Sequence, residues 1–256
     1  MGDLAYMMLM PFLFFFLFFM AYLFRKRKVE KILFAEFDES EKDLEARDFF
    51  NRILKIERSA KAFYYAEVIF LIINTFFILF RGYKTYLEEV EFVKEFPSFS
   101  ISPLSSTLIK FMVPIIMWVL VFFLFIFAMI MKKKENKRIT EMLDNLENVK
   151  HLKFAKEDFL RSDRILETGV VGGDIKLGDR YLFSFYPVSI IPYIYIQKMK
   201  VKISRRGKNG IIYYLDIALK RPFQNIKIDF AKEDVAEKVR EFSLERKKDL
   251  NEKIEY

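Results

Sequence analysis

Residues 111–131 read FMVPIIMWVLVFFLFIFAMIM, 21 residues without a charge, and Lys132, Lys133 and Lys134 follow at once. A helix needs about 20 apolar residues to cross the hydrocarbon core of a bilayer. Buried helices of soluble proteins rarely run apolar on every face at that length. The stretch is therefore expected to span a membrane. Working outward, residues 62–80 supply 19 more, interrupted by Glu67 and the pair Asn74-Thr75. Residues 4–24, LAYMMLMPFLFFFLFFMAYLF, are uncharged and end at Arg25, Lys26, Arg27 and Lys28. No cation precedes that run and no small-residue cleavage site closes it, so it reads as a retained anchor rather than a signal peptide. Three spans are expected, at 4–24, 62–80 and 111–131.

The rest of the 256 residues resembles ordinary soluble protein. The chain is 53% hydrophobic, with 31 Phe, yet 30% charged. The apolar excess is concentrated in the three runs. Charge then sets orientation, because cytoplasmic flanks carry the Lys/Arg excess. Segments 25–61 and 132–256 hold 39 of the 43 Lys/Arg residues, whereas 81–110 holds 4. The N-terminus is expected outside and the C-terminal part in the cytoplasm, in a cell inner membrane. This pattern and anionic inner-leaflet lipid account for the net charge of +8 without nucleic acid.

Composition also narrows the chemistry. There is no cysteine and only one histidine, His151. Disulfides, thiolate metal sites and a Cys nucleophile are excluded, as is an imidazole-based zinc site within one chain. No cofactor or metal motif is present, so neither is expected. Residues 169–173, GVVGG, lack the Gly-Lys-Ser/Thr of a phosphate loop and read as a turn or bulge. His151 reads as a surface histidine. An enzyme is disfavoured, although Asp174, Asp179 and Asp216 could converge in space.

Two amphipathic stripes flank the spans. Ser40 to Asp43 has the pattern of a capping box. Beyond it, Ala46, Phe49, Phe50, Ile53, Ile56 and Ala60 recur at helical spacing, and this helix is expected to run straight into the second span. Ile139, Met142, Leu143, Leu146 and Val149 make a matching stripe after the third. An antiparallel cytoplasmic stalk is expected, about 16 residues and roughly 24 Å long. The alternative is a helix lying flat on the bilayer. Residues 1–160 are thus assigned to a membrane region with helical extensions. Pro97 to Pro103 punctuates a short outer loop.

From about Leu166 the period changes to 2. Residues 180–186 (RYLFSFY) are β-prone. In 198–204, Met199, Val201 and Ile203 alternate with Lys198, Lys200 and Lys202. A glycine-bearing turn at 205–210 leads into a strand at 211–219, and 226–230 is another. A helix with Val235, Val239 and Phe242 on its buried side closes the chain, with Glu233 and Asp234 in its first turn. Residues 161–256 therefore form a cytoplasmic β-rich domain.

This order resembles the bacterial pleckstrin-homology-like domains attached to membrane spans. The resemblance covers residues 166–246. It rests on Gly178-Asp179-Arg180-Tyr181-Leu182-Phe183, on Ile191-Pro192-Tyr193 before the lysine-rich strand, and on the closing helix. About six strands are legible against the seven of that fold, and an OB-like barrel or plain α+β sandwich stays open. The resemblance implies a strongly bent antiparallel sheet plugged by the helix, and binding rather than catalysis.

Two candidate sites follow. Lys198, Lys200, Lys202, Arg205, Arg206 and Lys208 are expected to form a basic surface for anionic lipid or an acidic partner. Glu67 and Asn74 lie seven apart inside a span and share a helix face, which suggests interhelical contact or a proton or ion path. The leading expectation is a non-enzymatic membrane protein anchoring an interaction domain, its partners being lipid, another protein or a second copy. An oligomeric transporter or channel subunit using Glu67 and Asn74 is the alternative, and a membrane enzyme the third.

Overall fold

The computed structural model describes residues 2–34, 37–55, 57–98, 101–170, 174–205 and 211–252, without the side chains of 2–14, 21, 22, 25, 57–60 and 205. In chain order the helices are α1 (Gly2–Leu33), α2 (Glu39–Lys42), α3 (Ala46–Leu54), α4 (Glu57–Glu95), α5 (Pro103–Asn148) and α6 (Leu152–Arg161). The strands are β1 (Arg164–Leu166), β2 (Ile175–Leu177), β3 (Tyr181–Phe185), β4 (Val188–Pro192), β5 (Ile196–Arg205), β6 (Ile211–Leu219) and β7 (Ile226–Phe230), and α7 (Glu233–Glu252) follows. Two compact units result: Met1–Phe24 with Glu57–Lys134, and Arg25–Ile56 with Glu135–Tyr256.

In the first unit, α4 and α5 run antiparallel. The less exposed residues recur at intervals of three and four: Tyr64, Glu67, Leu71, Asn74 and Ile78 on α4; Thr107, Phe111, Pro114, Trp118, Val121 and Phe125 on α5. That spacing is a heptad seam. Leu71 and Val121 are buried together, with Trp118 and Phe125 packed on them. Tyr64 and Phe125 meet edge to face with centroids 6.3 Å apart. Ser102 caps α5, accepting the Ser105 N–H at 3.2 Å, and Pro103 stands at the first helical position where its missing donor is harmless.

Outside the seam the helices are apolar and bare. Phe76 and Phe80 of α4 are 69% and 70% exposed, Phe123 and Phe127 of α5 65% and 62%. Among the described residues two helical segments are long and apolar enough to cross a membrane, Lys61–Glu95 and Pro103–Asn148, rather than the three expected. Residues 4–24 are helical within α1, but most of their side chains lie outside the described set.

The second unit corrects the expected stalk. The α3 helix does not continue into α4: Lys55, with ψ 81°, leaves the helical region. The Ser40 box caps no long helix; α2 is a single turn following Asp38 and makes no side-chain cap. Ile139, Leu143 and Leu146 do not form an exposed stripe. They are buried in one core with Phe49, Phe50, Phe159 and the strands. Arg47 joins α3 to α5 through Asp144, at 2.5 Å, and Glu147. The compact units consequently divide the chain differently from a boundary at 160, because the flanking helices bury their apolar sides against the strands.

The strands form two antiparallel meanders, β1-β2-β3-β4 and β5-β6-β7. Every residue of β3 is buried. On one face Phe183 and Phe185 meet Phe159 of α6, the Phe159–Phe183 centroids 4.9 Å apart. On the other, Leu182 is buried with its register partners Leu177 and Ile191. Both faces of β3 are thus covered, so strict alternation of polar and apolar residues is lost. The end of α5 also covers the edge of β4: Arg138 donates to the Val188 carbonyl at 3.0 Å, and the Ile190 N–H points at Met142 Sδ at 3.1 Å. The α7 helix packs on β5, β6 and β7. It buries Ala236, Val239 and Ser243, while the expected Val235 and Phe242 are only partly covered.

Candidate interaction surface and buried polar groups

The lysine-rich strand lies at one edge of the second meander. Lys198, Lys200 and Lys202 are all exposed, whereas Met199 between them is buried. Register places Asp216 of β6 opposite Lys200, with Lys227 of β7 on its other side. The Lys202 ammonium reaches the same carboxylate at 2.5 Å. That hydrogen bond raises the Lys202 pKa and lowers that of Asp216. The surface is therefore a charge ladder with a cationic surplus, not the purely basic strip expected from β5 alone. Near the β5–β6 connection Ile203 and Ile211 are 56% and 52% exposed. Arg205 pairs with Ile211 in register, but its side chain is not described, and Arg206 and Lys208 lie outside the described residues.

Glu67 and Asn74 do share one face of α4, as expected from their spacing, and both are buried. They are on the seam, separated by Leu71 and its cluster with Val121, Trp118 and Phe125. Leu71, with Trp118 packed on it, thus stands between the two polar groups along the seam.

Three arrangements had no local sequence signal. Asp158 of α6 accepts the backbone N–H groups of Asp179, Arg180 and Tyr181 at 2.8, 2.9 and 2.9 Å. Burial pushes its carboxyl pKa up, while these three bonds pull the other way. A Cβ on Gly178 would stand 2.1 Å from Asp158 Oδ2, so only glycine admits this close approach. Lys176 of β2 is buried, and its ammonium donates to the Leu33 carbonyl and lies 4.5 Å from the centre of the Phe159 ring. His151 is not a surface histidine. It is half-buried between Tyr181 and Tyr195, its Nδ1 2.6 Å from the Tyr181 hydroxyl, and burial lowers its pKa. Each arrangement joins residues 21 or more apart in sequence, which local patterns do not reveal.

The dispersed acids do not converge. Asp216 pairs with Lys202, and Asp179 with Arg246 at 3.3 Å. Asp174 feels Glu167 and Glu30, and burial raises its pKa. Among the described residues no three His, Asp or Glu side chains stand together as a metal site. Gly169, with φ +70°, turns the chain against Ala231, while residues 171–173 lie outside the described set. Comparison of the chain with protein-family models, curated proteins and solved structures finds no match.

Proposed function

We propose that this chain is a three-span protein of the cell inner membrane, with its N-terminus outside and its C-terminal unit in the cytoplasm. That unit is read as a pleckstrin-homology-like interaction module that docks on an anionic membrane surface. Support for the membrane assignment comes from the bare phenylalanines of α4 and α5, which in water would be a large uncompensated apolar surface. Orientation rests on the Lys/Arg distribution. The module reading is supported by the element order, four meandering strands, then three, then a helix on the second group.

One observation carries the choice of ligand. Exposed Lys198, Lys200 and Lys202 run along a strand whose hairpin ends in exposed Ile203 and Ile211. Cations near anionic lipid contribute about 1 kcal/mol each. Ile203 and Ile211, which flank the turn on the strand face opposite the lysines, can enter the interface at the tip of the hairpin. The cysteine-free chain allows a clean test. Ile203→Cys carrying an environment-sensitive dye is placed in nanodiscs. A blue shift is expected with phosphatidylglycerol and not with phosphatidylcholine, and Lys198→Glu with Lys200→Glu should remove it. Equal emission in both lipids would leave a protein ligand as the reading.

A further inference from the structure

Independently of what the second unit binds, we infer that Glu67 is a proton-binding site inside the α4–α5 hairpin. The side chain is 7% exposed and its Oε1 has no hydrogen-bond partner. An unpaired carboxylate oxygen in an apolar seam is costly, and uptake of a proton removes the charge.

Among the described residues no cation is paired with Glu67. From α5 the seam presents Val121 and Phe125. The nearest described cation of α5 on this side is Lys132, whose ammonium lies 4.3 Å from the centre of the Tyr64 ring. On α4 itself Lys61 sits over Tyr65, at 5.7 Å. From α1 the described contact is Phe24 on Phe63, with centroids 5.9 Å apart. Glu67 has no described ion-pair or hydrogen-bond partner among these. The apolar cluster around Leu71 then separates the site from Asn74, so it holds a proton without forming a continuous polar path. Ionisation would place a charge between the helices and loosen the seam.

Hydrophobic carbodiimide is the probe. With a neutral acid, the proton passes to one diimide nitrogen while the carboxyl oxygen adds to the central carbon. The acyl group then migrates to the other nitrogen, giving an N-acylurea that retains every atom of both reactants. The full chain in proteoliposomes is treated with dicyclohexylcarbodiimide or with a water-soluble carbodiimide, and peptides are mapped by mass. The Glu67 peptide should carry the hydrophobic adduct at least about tenfold more than the soluble one, because the site is shielded from water. Labelling should fall in alkaline buffer, and Glu67→Gln should abolish it. No adduct at Glu67, or equal labelling by both reagents, overturns the inference. Peptide mapping in the unmodified chain decides this even if Glu67→Gln fails to fold.

Discussion

The ammonium of Lys176 lies 2.8 Å from the carbonyl oxygen of Leu33, across 143 residues of sequence. Leu33 is the last residue of α1, so a buried cation meets the end of a helix where unsatisfied carbonyls and the dipole favour positive charge. Together with buried Val29, Ile32 and Leu33, this contact makes the end of α1 part of the β-rich unit.

Burial lowers the Lys176 pKa from 10.5 to about 8. Between those values the folded chain binds fewer protons than the unfolded one, so the unfolding free energy rises with pH. The gain approaches about 3 kcal/mol at most. Lys176→Met should flatten this rise between pH 8 and 10.5. Pulse proteolysis in detergent, taken as the difference between wild type and variant, isolates Lys176 from other groups titrating there. The amides of residues 29–33 should also exchange faster in the variant.

Gly178→Ala should be among the most damaging substitutions. The new methyl would collide with the carboxylate that holds three backbone N–H groups. A loss of about 3 kcal/mol or more is expected, since both the clash and the orphaned donors contribute. Asp158→Asn should cost somewhat less, because the amide keeps one acceptor. Denaturant midpoints measure both.

Leu143→Ala tests whether the end of α5 belongs to the β-rich core. Leu143 is fully buried, so truncation should cost about 2–5 kcal/mol in that unit. A side chain on an exposed stalk would cost under about 0.5 kcal/mol.

Lys150→Gly should stabilise the chain. Lys150 has φ 58° at the end of α5, and the His151 N–H bonds the Leu146 carbonyl while that of Lys150 bonds Glu147. This is a Schellman ending, where glycine avoids the left-handed penalty. A gain of about 0.5–1 kcal/mol is expected, read as a raised denaturant midpoint.

Asp216→Asn should strengthen any attraction to anionic vesicles. It removes a carboxylate flanked by Lys200, Lys202 and Lys227. About fivefold tighter association is expected, from about 1 kcal/mol per charge near the surface, and vesicle co-sedimentation measures it. High salt should erase the difference.

Sequence alone determined the long apolar helices, the alternating strands of the second meander and the closing helix, because each is a periodic pattern of solvent preference within a short window. The lysine face of β5 and the shared face of Glu67 and Asn74 were legible for the same reason. Tertiary structure decided what those patterns meet. The stripe at Ile139, Leu143 and Leu146 looked like a stalk and proved to be core, since a hydrophobic stripe specifies burial but not its partner. Asp216 beside Lys202, Asp158 under Gly178 and Lys176 against Leu33 arise from register and chain crossing. Their energies depend on distance in space, which separation along the chain does not encode.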